Sequence, residues 1–207
     1  MSGTRFFLVR HAIVTPAARG VMYGAMDVEL CDLALREEAA LYRWLAARLP
    51  AGAVWVTSPL SRTKATAAAI FAGGYAPAPL IEEPDLAEQH LGEWQGITHE
   101  EFVERLTHPA HPFWPHGAEE RPPGGEAMSD VIARVGPVLE DYARRHAGRD
   151  VVIIAHGGSI RAAIAHAMGL TPQQVLHFSI KNLGLTRLEK VDADWRVSAV
   201  NEEPWTL

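Results

Sequence analysis

Arg10-His11 stands directly after the apolar run Phe6-Phe7-Leu8-Val9, and His156 directly after a second run, Val151-Val152-Ile153-Ile154-Ala155. A strand that ends by presenting a guanidinium beside an imidazole is costly unless something anionic binds there. His156 is followed by Gly157-Gly158-Ser159, a turn whose amides suit an anion at a helix start. A third run, Val54-Trp55-Val56-Thr57, leads into Ser58-Pro59-Leu60-Ser61-Arg62 and places Arg62 about one turn into a helix. Two arginines and two histidines converging on one point suit attack by a neutral imidazole on a phosphoryl group. Arginine forks bind the non-bridging oxygens bidentately. Charge dispersal over those oxygens is most of what a protein contributes to such a transfer. What remains is a proton donor for the leaving oxygen. Glu82, Glu83, Asp85, Glu88 and Glu93 are the carboxylates of one neighbourhood.

The three apolar runs lack alternation, as expected of strands buried on both faces of a parallel sheet. In such a sheet, ligands bind beyond the carboxyl ends of the strands, where all these groups would meet. Ala34, Leu41, Leu45 and Leu49 share one helical face. Ser58 reads as the N-cap of a helix reaching Phe71, with Pro59 in its first turn and Gly73-Gly74 ending it. A long helix is expected over 126–146, with Val131, Val135, Val138 and Tyr142 on its apolar stripe and a kink at Pro137. Another is expected over 158–168, closed by Gly169. Residues 186–191 and 195–200 alternate around Asp192-Ala193-Asp194, which reads as an antiparallel edge hairpin. The expectation is a three-layer α/β/α fold with a mostly parallel central sheet and an antiparallel edge, one domain over 1–207. Residues 107–125 hold five of the fourteen prolines and read as a lid loop, with His108, His111, Phe113, Trp114 and His116 available to line a pocket.

A net charge of −6 argues against non-specific nucleic-acid binding while allowing a local cationic pocket. The apolar runs are too short to span a bilayer. The single cysteine, Cys31, excludes an internal disulfide framework and fits a reducing compartment, and residues 1–9 are too short for a signal peptide, so a cytoplasmic location is expected. Cys31 itself reads as structural. The histidines at 90, 108, 111 and 116 match no compact metal-ligand spacing, so neither metal nor cofactor is expected. No Gly-rich loop followed by Lys-Ser/Thr supports a P-loop kinase.

Leu8-Val9-Arg10-His11, Ser58 to Arg62 with Thr66-Ala67, Leu86-Ala87-Glu88 with Gly92-Glu93-Trp94-Gln95-Gly96, Pro123-Gly124-Gly125-Glu126 and Ala155-His156-Gly157-Gly158 follow one another in a distinctive order. Together they resemble the histidine phosphatase superfamily, in its phosphoglycerate-mutase-like branch, across nearly the whole chain. The resemblance implies that His11 is a nucleophile forming a phosphohistidine. It further implies that Arg10, Arg62 and His156 hold the phosphoryl oxygens, and that Glu88 protonates the leaving alcohol and then activates water, without a metal. Glu93 is the rival acid.

The chain departs from the family's Arg-His-Gly-Glu-Thr: here Arg10-His11 continues Ala12-Ile13-Val14-Thr15, and Ala17 stands where asparagine is expected. Ala12 is tolerable provided its φ is negative. Thr15 is a candidate replacement hydroxyl, and Gly157, Tyr23 and Gly24 are further candidate substrate contacts. Tyr23-Gly24 with Asp27 and Leu30 resembles small phosphatases close to α-ribazole phosphatase. Glu88 is followed by Gln89-His90-Leu91-Gly92 rather than the mutases' Arg-His-Tyr-Gly, and the lid reads Pro112-Phe113-Trp114-Pro115-His116, with Arg121 its only fixed cation. The expected activity is therefore a phosphatase acting on a small phosphomonoester with a weakly charged body. A cofactor-dependent mutase, a non-catalytic phosphate-binding relative and a metal-dependent hydrolase are the alternatives, and a homodimer is left open.

Overall fold

A computed structural model describes residues 3–204; the ends of the expected 1–207 domain lie outside the described residues. In chain order the elements are β1 (Thr4–Arg10), α1 (Pro16–Arg19), α2 (Asp32–Glu37), α3 (Ala39–Arg48), β2 (Val54–Thr57), α4 (Ser61–Ala72) and β3 (Leu80–Glu82). They continue with α5 (His99–Glu104), α6 (Met128–Arg145), β4 (Asp150–Ala155), α7 (Gly157–Met168), α8 (Pro172–Val175), β5 (Leu185–Val191) and β6 (Asp194–Glu202).

The sheet order is β3-β2-β4-β1-β5-β6. β3, β2, β4 and β1 are mutually parallel, while β5 runs antiparallel to both β1 and β6. The unbroken apolar runs are explained by burial on both faces. Phe6, Leu8, Val151 and Ile153 pack with Val131, Val135, Leu139 and Ile160 of α6 and α7. Their sequence neighbours Phe7, Val9, Val152 and Ile154 pack on the opposite face with Tyr42, Leu45, Ala67 and Ile70 of α3 and α4. Each fully buried aliphatic side chain contributes about 1.5–3 kcal/mol, so an unpaired polar residue on either face of these strands would be costly. The result is the expected three-layer arrangement.

Strand register assembles the site. Arg10 pairs with Ala155 across β1 and β4, so His11 and His156 emerge side by side. Thr57 pairs with Ile154 and with Glu82, which places Ser58 and the Glu83–Glu88 segment along the same edge.

Three boundaries differ from expectation. Ser58 does not cap α4: Asp27 accepts from the N–H (2.8 Å) and hydroxyl (2.7 Å) of Ser61, and the helix begins there. Ser58 is thereby released for a different partner. α6 begins at Met128 because Glu126 is drawn away to Arg134, and it runs on through Pro137 to Arg145. α7 starts one residue early, at Gly157. Residues 107–125 contain neither helix nor strand, only the bridge between His111 and Trp114. Glu120, buried, accepts from Thr107 N–H (3.0 Å), Thr107 hydroxyl (2.8 Å) and His108 N–H (2.8 Å), which pins the base of this loop. Among the described residues no helix is long and apolar enough to cross a membrane.

Candidate active site

His11 is 1 % exposed. Its Nδ1–H donates to the Ala12 carbonyl at 2.7 Å, because a carbonyl can only accept. That bond fixes the tautomer and leaves Nε2 with a lone pair. Nε2 is buried and has no partner within the described residues. The backbone around it is held from three sides. His11 N–H donates to Ala155, Ala12 N–H donates to Thr66 Oγ1 (3.0 Å), and Asn182 Nδ2 donates to the His11 carbonyl (2.7 Å). Ala12 is buried without a positive φ, so the missing glycine leaves no backbone strain.

His156, packed 5.2 Å from His11 between ring centroids, is held differently. Arg62 Nε donates to its Nδ1 (3.3 Å), since a guanidinium cannot accept. The proton is therefore on Nε2, which donates to Ser58 Oγ (2.7 Å). This is the partner that Ser58 takes instead of the helix. Both His156 nitrogens are thus engaged by protein groups in this arrangement. Arg62, fully buried, spends its other nitrogens on the carbonyls of Met26 (2.6 Å) and Gly24 (2.8 Å) and lies over the Tyr23 ring (5.4 Å). Arg10 Nη1 donates to the Ile180 carbonyl (2.6 Å), while its Nε is buried without a partner among the described residues.

Burial, reinforced by Arg10 and Arg62, pushes the His11 pKa well below its usual 6.5. Burial together with Arg62 and the other nearby cations does the same to His156. Both rings are held neutral. A base whose folded pKa lies below its unfolded value binds protons more readily in the unfolded chain. The stability from these two rings is therefore complete above pH 6.5 and falls as pH drops below it. The melting temperature is expected to fall on acidification from pH 7 to 5, and His156→Asn should flatten that slope. An unchanged slope would show that these rings are not kept neutral by the fold.

Glu88 lies on the wall of an open cleft, shared with Arg10, Tyr23, Gly24, Leu91 and Trp114. Its Oε1 accepts from Gly158 N–H (2.9 Å) and from Gln89 N–H (3.0 Å). Arg134 fixes the segment behind it, donating to the carbonyls of Asp85 (2.6 Å) and Glu88 (3.2 Å) and to Glu126 (2.7 Å). The rival Glu93 is exposed and absent from the cleft wall, Glu82 pairs with Lys64, and Glu83 caps Asp85 N–H. A Cβ on residue 158 would collide with Glu88 Oε1. Gly158→Ala should fold yet turn Glu88 away, lowering kcat about ten- to a hundredfold. Unchanged kcat in a folded Gly158→Ala protein would separate Glu88 from the chemistry.

The structure brings Arg10, His11, Arg62, Glu88, His156, Tyr23, Gly24 and Gly157 to one end of the sheet. Thr15 is not brought there: its hydroxyl caps α1, accepting from Ala18 N–H (3.4 Å), and it is not on the cleft wall. Of the 107–125 loop, Trp114, Pro115 and His116 line the cleft; His111 is buried against His177, and His108 bonds Glu120. Among the described residues no three His, Cys, Asp or Glu side chains gather as a metal ion would require. Asn182, Arg134 and Arg161 take part in this arrangement without a sequence signal that marks them. Nothing local in sequence marks the first, and the other two look like surface helix charges until the helices are packed.

Residues 6–203 match the histidine phosphatase superfamily (branch 1). The chain belongs to this superfamily. It is similar to the glucosyl-3-phosphoglycerate phosphatase of Mycolicibacterium vanbaalenii, 35% identical over 80% of this chain and 75% of that protein. It also resembles the 2,3-bisphosphoglycerate-dependent phosphoglycerate mutase of Methylobacterium radiotolerans, 32% identical over 93% of this chain and 92% of the other. Among solved structures, a mycobacterial glucosyl-3-phosphoglycerate phosphatase complexed with VO3 superposes with a TM-score of 0.81 at 29% identity, covering 96% of this chain and 99% of that one.

Proposed function

We propose that this histidine phosphatase hydrolyses a small phosphomonoester without a metal, through a phosphohistidine on His11. The observation that carries the reading is the His11 Nε2 lone pair: buried, unpartnered, fixed in tautomer and set among guanidinium groups. In the first step Nε2 attacks phosphorus and the P–O bond to the alcohol breaks. Arg10 and Arg62 disperse the charge on the non-bridging oxygens, and Glu88 gives its proton to the departing alkoxide. In the second step Glu88 takes a proton from water, which attacks the phosphohistidine and returns His11 to its neutral form. His156 orients Arg62, and its Nε2–H, now on Ser58, is the ring donor that a phosphoryl oxygen can take over.

The cleft beside Glu88 receives the alcohol. Val21, Met22, Tyr23, Leu91, Trp114 and Pro115 form its apolar wall, Arg10 is the one Lys or Arg among its lining residues, and His99 at its rim holds its Nε2 on the Arg19 carbonyl (3.0 Å). His116 adds no charge, since its Nδ1–H is on the Gly117 carbonyl (2.9 Å) and its Nε2 accepts from Trp114 (3.2 Å). A mutase must retain a doubly phosphorylated intermediate, which needs cations on that wall. This favours hydrolysis of an ester with a weakly charged body, with residues 107–125 serving as lid. The lone cysteine supports action in the cytoplasm.

A panel of phosphomonoesters assayed with excess chelator tests the reading. Chelator-insensitive phosphate release, fastest for esters with uncharged bodies, is expected. Isomerisation of 3-phosphoglycerate exceeding its hydrolysis would favour the mutase instead.

A further inference from the structure

Arg161 is the buried cation that the mechanism above does not use. It lies one turn into α7, and its side chain runs back toward the start of that helix, as helical side chains do. Only 3 % of the residue is exposed. Nε donates to the Phe178 carbonyl at 2.9 Å, and the guanidinium carbon sits 4.0 Å from the centre of the Trp114 ring. Nη1 is buried and has no hydrogen-bond partner among the described residues. Among the described residues no carboxylate is in salt-bridge contact with it; a buried guanidinium left so, with an unsatisfied N–H, is costly and calls for a ligand.

What lies beside that N–H identifies the ligand. The point where residue 157 would carry a Cβ is 3.2 Å from Arg161 Nη1 and 3.7 Å from Arg10 Nε. Arg10 Nε is itself buried and unpartnered. Two unsatisfied guanidinium donors thus flank the first residue after His156. They are no further apart than the about 7 Å that two N–H···O contacts to one phosphoryl group can bridge. Glycine at 157 keeps the gap between them open. Burial pushes the Arg161 pKa down to about 10, with Glu88 raising it and Arg10 lowering it, which places the cation in the field of both catalytic groups. At this pKa it remains charged at neutral pH. The Trp114 indole covers its face and excludes water from it.

We propose that Arg161 is a third guanidinium of the phosphoryl site, donating from Nη1 to a phosphoryl oxygen beside Arg10 Nε, with Trp114 of the lid as its cover. This rests on the reading of His11 as the nucleophile. It assigns Arg161 to the transferring phosphoryl group and not to the alcohol.

Orthovanadate is the probe, with binding measured directly by titration and as competitive inhibition, on the parent chain and on Arg161→Met, Arg161→Lys and Trp114→Leu. Arg161→Met should weaken vanadate about tenfold or more, the scale of one charge-assisted hydrogen bond. Arg161→Lys, which keeps charge and stem and guards against a Met variant that fails to fold, should fall between parent and Met. Trp114→Leu should move vanadate by less than about threefold while raising KM for bulky esters, because it removes the cover and leaves the donor. Vanadate binding within about twofold of the parent in folded Arg161→Met and Arg161→Lys would overturn the proposal and leave Arg161 as a brace to Phe178. Weakened binding confined to esters bearing a carboxylate, with vanadate unaffected, would overturn it equally. If the parent chain neither binds vanadate nor becomes phosphorylated, the fault lies with the reading of His11 itself.

Discussion

His11→Ala is expected to abolish phosphate release from every phosphomonoester the parent chain cleaves, a loss of about a thousandfold or more, while the fold persists. The size follows from the role. A positioned nucleophile splits one difficult displacement into two easier ones, and nothing else in the cleft can replace it. The rest of the machinery would stay in place: Asn182, Thr66 and Ala155 hold the backbone around residue 11, not the ring. His156 cannot substitute, because its Nδ1 lone pair is directed at Arg62 and its proton at Ser58. Circular dichroism would confirm the fold, and phosphate release would be followed by a colorimetric assay. Residual turnover within about tenfold of the parent would reject His11 as nucleophile.

Glu88→Gln should separate the two steps. An amide of the same shape can still accept from Gly158 and Gln89, so the segment braced by Arg134 keeps its place. It can neither give nor take a proton. For esters of ordinary alcohols kcat should fall about 10²–10⁴-fold. For an aryl ester with a good leaving group, the first step needs no proton and proceeds. The second step still needs the base, so the phosphorylated enzyme should accumulate after a burst. Rapid-quench measurement of phenol release against phosphate release shows this directly. Equal losses on both ester types without a burst would mean that Glu88 acts on binding and not on proton transfer.

Much of this arrangement is readable from the chain. The strands are legible because double-sided burial demands unbroken apolar runs, and runs that end in Arg10-His11 and His156 mark their ligand end. Glu88 and Arg62 become legible only through their order relative to the other motifs, since each alone is an ordinary surface charge. What escapes sequence reasoning is whatever depends on a partner far along the chain. Ser58 looks like a cap until Asp27 takes the Ser61 N–H and His156 takes the Ser58 hydroxyl. Thr15 looks like a pocket hydroxyl until it caps α1. Asn182 carries no pattern at all, yet it holds the His11 carbonyl from 171 residues away. Arg161 reads as one more helix arginine until Trp114 lies over it.

The covalent intermediate is the centre of the account, and trapping it is the most direct test. The parent chain would be mixed with a labelled phosphomonoester in excess chelator, quenched in alkali, digested and sequenced by mass spectrometry. One acid-labile phosphoryl group, on His11, formed within the first turnover, is expected. Turnover without any labelled intermediate, or a label carried by His156 or another residue, would contradict it.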